Sequence, residues 1–353
     1  MLADGIKAQD GPVLITGHTG FKGAWLSLLL NRLQIEHYGF ALEAEHNSLY
    51  RRLREKDIFQ GTIGDIRNLT ILSEYLKVIQ PAVVVHLAAQ PLVLKSYESP
   101  LETFEINVTG TANVLKAAFD TPSVKIVLVI TTDKVYRNDD SGRRFHERDP
   151  LEGKDPYSAS KVGAEAACAA WQQLSKISSG PKVIVARAGN VIGGGDFAEN
   201  RVIPDIIRGV ITCKPTTIRN PHSTRPWQHV LDPLAGYLLY VDRTLQDEIN
   251  FPAMNFGPQE ASLQVKEILE ISREILGDEV RLELKEEEVS KEAKLLELDA
   301  KQANASLLWT PKWSQREAIR DTFSWWRSVL NDPTAAYSNC LRDIDLLLAH
   351  YSK

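Results

Sequence analysis

Pro12-Val-Leu-Ile-Thr16-Gly17-His-Thr-Gly20-Phe-Lys-Gly23 is a short apolar run, a glycine turn and the approach to a helix that reads from Ala24 to Leu33. Glycines three residues apart let backbone N–H groups and a helix N-terminus come close to a pyrophosphate. A glycine pattern alone matches often by chance. Its position after an apolar run and before a helix favours a dinucleotide site over a plain turn. Gly17, Thr19, Gly20, Phe21, Lys22 and Gly23 are the first candidate cofactor residues.

Outward from this turn the chain alternates. Residues 35–41 read as a second strand, but the acidic residue expected at its end to hold an adenosine ribose is missing. Ala41 and Leu42 stand there, and Glu43 is close enough to substitute. Arg51 and Arg52 offer either a 2′-phosphate contact or a solvated helix face. Asp65 and Ile66, in Ile63-Gly-Asp-Ile-Arg67, fit a strand end where a carboxylate meets an adenine amino group. An Asx-type helix start before Leu69 fits equally well. Residues 82–90 are apolar and β-branched before a run of small residues, as in a strand buried on both faces. Its end, Leu87-Ala88-Ala89-Gln90, leaves room for a cofactor backbone. A helix over 100–119 carries Asn107, residues 125–130 form another buried strand, and that strand ends in Thr131-Thr132-Asp133-Lys134-Val135-Tyr136.

Four strand–helix alternations predict an α/β fold, a Rossmann-type doubly wound parallel sheet with a smaller mixed α/β C-terminal substrate lobe. Ligands on such sheets sit beyond the carboxyl ends of the strands. The glycine turn, Ala88-Ala89 and Thr132-Asp133-Lys134 all fall at such ends. The expected division is residues 11–190 for the cofactor domain, with 225–260 adding to its sheet, 191–330 for the substrate lobe, and 331–353 for a helical tail. Residues 1–10 read as a loose lead-in, and the run Lys285-Glu-Glu-Glu288 as a solvated face.

Tyr157 and Lys161, in Asp155-Pro-Tyr-Ser-Ala-Ser-Lys-Val-Gly-Ala-Glu165, are one turn apart on a helix face. A phenol is a poor base at neutral pH unless a cation stabilises its phenolate. The Lys161 ammonium can do that and can hold a ribose hydroxyl as well. The totals set bounds. At 353 residues, one large domain plus a smaller one is expected. A net charge of -5 gives no support to nucleic acid or a membrane surface as partner. Cys168, Cys213 and Cys340 are odd in number and far apart, which suggests reduced thiols in a cytoplasmic protein and neither a disulfide framework nor a metal site. No stretch approaches a membrane span or a signal core.

With Thr-Gly-His-Thr-Gly-Phe-Lys-Gly, His-Leu-Ala-Ala-Gln-Pro, Thr-Thr-Asp-Lys-Val-Tyr and Tyr-Ser-Ala-Ser-Lys in this order, residues 11–330 resemble the extended short-chain dehydrogenase/reductase superfamily. Asp133-Lys134 and Arg219-Asn-Pro-His-Ser-Thr-Arg225-Pro-Trp-Gln-His-Val230 resemble its nucleotide-sugar 4,6-dehydratases. The resemblance implies NAD as cofactor, CDP-glucose as substrate and a homodimer or homotetramer. It implies oxidation at C4, loss of water across C5 and C6, and return of hydride to C6. Thr132, Asp133, Lys134, Tyr157 and Lys161 are then catalytic: Tyr157 the base at the C4 hydroxyl, Asp133 the acid for the C6 hydroxyl, kept protonated by burial. Lys134 stands where relatives place a carboxylate base and acts as base, through water, or on the enolate. Asp65, Ile66, Leu87 to Gln90, Asn107, Thr131 and Arg187 complete the implied cofactor set. Asn190, Arg201, Arg219 and Arg225 are the implied substrate contacts, since arginine's planar fork suits phosphate oxygens. A 4-epimerase, which needs no acid at 133, and a non-catalytic dinucleotide sensor are the alternative readings.

Overall fold

The computed structural model describes residues 2–139, 141–218, 221–285 and 296–352. Seven parallel strands make the central sheet: β1 (Val13–Thr16), β2 (His37–Ala41), β3 (Gly61–Ile63), β4 (Val83–His86), β5 (Ile126–Ile130), β6 (Lys182–Ala188) and β7 (Ala253–Phe256). Their spatial order is β7-β6-β5-β4-β1-β2-β3. The strand order reverses at β1, whose Val13 pairs with His37 on one side and Val83 on the other. That reversal opens a crevice beyond the carboxyl ends of β1 and β4. The β-branched runs of β4 and β5 are buried at every position, as strands covered by helices on both faces must be.

Strand β7 comes from the segment expected to return to the sheet, and pairs with β6 from Ala253↔Val185 to Phe256↔Ala188. Beyond β6 the chain builds small pairs in place of a second sheet. Gln228–His229 lies beside Val191–Ile192, Thr224–Arg225 beside Leu263–Gln264, and Leu282–Leu284 beside Thr216–Ile218. Helices Val202–Thr212 and Val265–Leu276 complete this lobe.

Three expectations change. The N-terminal residues are anchored: Leu2, Ala3 and Ile6 are buried, and the Gly5 N–H donates to Asp242 Oδ1 at 2.6 Å. The apolar side chains of this lead-in give it a reason to dock. The helix expected over 100–119 is three pieces, Pro100–Phe104, a π-helical turn Glu105–Thr109 and Gly110–Phe119. The wider turn carries Asn107, whose side chain clamps the loop after β4. The C-terminal helix Ala336–Tyr351 packs as part of the main core, with Cys340, Ile344 and Leu347 buried beside Trp25 and Leu28. The acidic run at 286–288 lies outside the described residues. Among the described residues no helix is long and apolar enough to cross a membrane.

Candidate active site

The glycine turn is shaped by close approach. Gly17 has φ +79°, in the left-handed region, and a Cβ there would meet Ala88 N at 2.7 Å. A Cβ on Gly23 would come within 2.1 Å of Gly17 O, so the first turn of helix Phe21–Arg32 can press against the loop only without a side chain. Gly20 caps that helix and leaves its first N–H groups facing a cleft of about 840 Å³. Gly17, Thr19 to Gly23, Asp65, Ile66 and Leu87 to Ala89 line it at one end, with Glu43 in the place of the missing ribose acid. A glycine cradle, a helix N-terminus and small residues at 88–89 fit a dinucleotide with its pyrophosphate on the turn.

The same cleft continues to Thr131, Thr132, Lys134, Tyr157, Lys161, Asn190, Arg201 and Arg225. Asp155 caps helix Pro156–Ser178 through a reciprocal capping box with Ser158, and Pro156 suits the first turn. This start places Tyr157 and Lys161 against the end of β5. The Lys161 ammonium donates to Ile130 O at 2.9 Å, and burial pushes its pKa down to about 8. Burial holds the Tyr157 phenol above its usual value, with the Lys134 charge, a hydrogen bond with Thr132 and the Arg201 charge opposing and the Asp133 charge adding to the rise. Lys161, the cation expected to act on Tyr157, donates to Ile130 O on β5, while Lys134 and Arg201 add positive charge near the phenol. Thr132 Oγ1 donates to Asp133 Oδ1 at 2.9 Å, and Lys134 Nζ lies 3.8 Å from the same oxygen. Asp133 is 2% exposed and sits behind Thr132, not on the cleft lining.

Several expected contacts lie elsewhere. Arg187 does not reach the cleft. Its guanidinium forks onto Glu165, Nε to Oε1 at 2.8 Å and Nη2 to Oε2 at 2.6 Å, and also donates to the Tyr136 hydroxyl at 2.9 Å. Its stem leaves β6 on the side of helix Pro156–Ser178, where Glu165 is its buried counter-charge. Gln90 and Asn107 are also behind the lining: the Gln90 N–H donates to Asn107 Oδ1, and Asn107 Nδ2 donates to Gln90 O and Ser160 Oγ. They hold the Ala88-Ala89 loop and the Tyr/Lys helix together. Asp65 is on the lining while pairing with Arg67 at 2.6 Å, and the following helix is capped by Asn68. Arg225 donates to its neighbour's carbonyl, Thr224 O, at 2.8 Å. Arg219 lies outside the described residues.

Sequence reading missed Asp196, which pairs with Arg201 at 2.9 Å and aims it into the cleft. It also missed Glu165, which accepts the Thr131 hydroxyl at 2.7 Å as well as Arg187. Its spacing four residues after Lys161 was the available signal, since that puts it on the same helix face.

The GDP-mannose 4,6 dehydratase family model matches residues 14–322, and the chain belongs to that family. The CDP-glucose 4,6-dehydratase of Salmonella typhimurium is 39% identical over 325 residues, covering 90% of this chain and 90% of that protein. The dTDP-glucose 4,6-dehydratase of Haemophilus influenzae is 25% identical over 89% of this chain and 97% of its own length. The fold is shared with a UDP-glucose 4-epimerase from Brucella ovis in complex with NAD, at TM-score 0.77 and 20% identity over 89% of this chain and 97% of that one. It is shared too with a dTDP-glucose 4,6-dehydratase from Streptomyces venezuelae with NAD bound, at TM-score 0.76 and 24% identity over 92% and 99% of the two chains.

Proposed function

We propose that this chain is an NAD-dependent CDP-glucose 4,6-dehydratase, converting CDP-glucose to CDP-4-keto-6-deoxyglucose and water. The observation that carries the reading is the meeting of Tyr157, Thr132 and Asp133 at the end of β5, in a chain 39% identical to an enzyme of that name. A 4-epimerase needs Tyr157 but has no use for a buried acid at 133.

Bound NAD supplies the hydride acceptor at C4 and the donor at C6. The chain's own residues move the protons. Tyr157 takes the C4 hydroxyl proton, its phenolate stabilised by Lys134 and Arg201, while Thr132 orients the hydroxyl. A 4-ketone acidifies C5–H, and the electron pair left at C5 expels the C6 hydroxyl, which leaves as water with a proton relayed from Asp133 through the Thr132 hydroxyl that bonds it. Lys134, 3.8 Å from Asp133 Oδ1, stabilises the enolate as a cation. Asn190, Arg201 and Arg225 hold the diphosphate end, with Asp196 orienting Arg201. The protein works as a homodimer or a dimer of dimers through the helical pieces over 100–119 and helix Pro156–Ser178. Exposed Leu101 and Phe104 on the first and Ile177 on the second support that surface.

Incubation of the purified protein with CDP-, TDP-, UDP- and GDP-glucose, with and without NAD, tests the reading. Loss of one water from CDP-glucose, by mass, is expected. Interconversion of two sugars of unchanged mass would replace it with epimerisation.

A further inference from the structure

Helix Phe21–Arg32 has no acidic residue in its first turn; it has Lys22 as its second residue. A cation there opposes the helix dipole, so something else must favour it. Its ammonium donates to the Tyr237 hydroxyl at 3.3 Å and stands 5.6 Å from that ring's centre. No described carboxylate is within ion-pair distance of it. The charged groups that face it are Arg201, Lys161 and Asp133. Lys22 lines the same cleft as Thr132, Tyr157 and Lys161, and its charge feels those of Lys161 and Arg201. The centre as a whole holds the cations Lys22, Lys134, Lys161 and Arg201 beside Asp196 and the acid Asp133.

This matters because the nicotinamide ring is a cation when oxidised and neutral when reduced, while the diphosphate carries the same charge in both forms. On the reading that the cleft holds NAD, we propose that Lys22 sets the relative affinity for the two redox forms, weakening oxidised NAD against reduced NAD and so favouring oxidation of C4. It acts through charge, without moving a proton itself. Burial and the neighbouring Arg201 and Lys161 bring its ammonium down to about 7 in the cofactor-free cleft, so the effect fades as pH rises through neutrality. A unit charge within about 10 Å in protein surroundings is worth on the order of tenfold in an equilibrium constant.

Binding titrations of NAD and NADH to the full chain, with no substrate present, isolate the effect, since diphosphate contacts cancel in the ratio of the two dissociation constants. Lys22→Met should tighten NAD relative to NADH by about tenfold or more, and Lys22→Arg should keep the wild-type ratio. The wild-type ratio should narrow between pH 6 and 8, roughly one unit either side of the lysine's titration, and more steeply than that of Lys22→Met, in which Lys161 still titrates. An unchanged ratio in Lys22→Met, with both forms bound, overturns the inference alone. Failure of the wild-type chain to bind either form overturns the proposed function and this inference together.

Discussion

Replacing Arg187 by methionine removes the charge but keeps much of the stem volume. It strands Glu165, whose two oxygens accept Nε at 2.8 Å and Nη2 at 2.6 Å and whose side chain is only 6% exposed. Two further acceptors lose their donor, the Tyr136 hydroxyl at 2.9 Å and Glu147 O at 3.0 Å. Breaking one partner out of a buried pair costs about 3–5 kcal/mol, most of it the price of an uncompensated charge. The double variant Glu165→Gln/Arg187→Met has no such charge and should recover a good part of that loss. Urea unfolding followed by tryptophan fluorescence measures both. Because the guanidinium points away from the cleft, NAD titrated into folded Arg187→Met should bind within about twofold of wild type. Near-wild-type stability together with a large loss of NAD affinity would refute the reasoning and return Arg187 to the cofactor.

Asp232 is fully buried and accepts the Lys312 N–H at 2.6 Å, and burial pushes its pKa up to about 8. A carboxyl raised on folding takes up a proton, so its contribution to stability is lost as pH rises from about 4 to about 8. Asp232→Asn should flatten unfolding midpoints across that window and be the more stable protein at its upper end; a steeper dependence in the variant would count against this. Light scattering at micromolar concentration should give a dimer or tetramer, and a monomer alone would exclude the proposed helix surface. Asp133→Asn should still oxidise C4 but stall before water leaves, seen as reduced-nicotinamide absorbance after one turnover and a fall in steady-state rate on the order of a hundredfold or more. Turnover near wild type would remove Asp133 as the acid.

The parallel sheet was legible because its strands carry strong local signals. Residues 82–86 and 125–130 are apolar and β-branched, and the glycines at 17 and 23 answer to contacts a Cβ could not survive. Tyr157, Lys161, Thr132 and Lys134 fall at strand or helix ends, so topology alone brings them to one cleft. What sequence could not show is which way a long side chain turns. Arg187 ends a strand beside the site and was assigned to it, yet it turns to Glu165 on the helix packed against the sheet. Lys161 was given the phenolate, and that its ammonium donates to Ile130 O was not to be read from its spacing. The π turn at 105–109 was invisible for a related reason, since it follows from Asn107 bonding to residues 17 and 53 positions away.

The central claim is that one cleft oxidises C4, eliminates water and returns the same hydrogen to C6. CDP-glucose deuterated at C4 tests it directly when turned over in ordinary water and the product is read by NMR and mass. The account predicts a 4-keto-6-deoxy product that has lost one water, carries the deuterium on C6 and has taken solvent hydrogen at C5. Deuterium back at C4 of a sugar of unchanged mass, or absent from C6 of a dehydrated one, would contradict it.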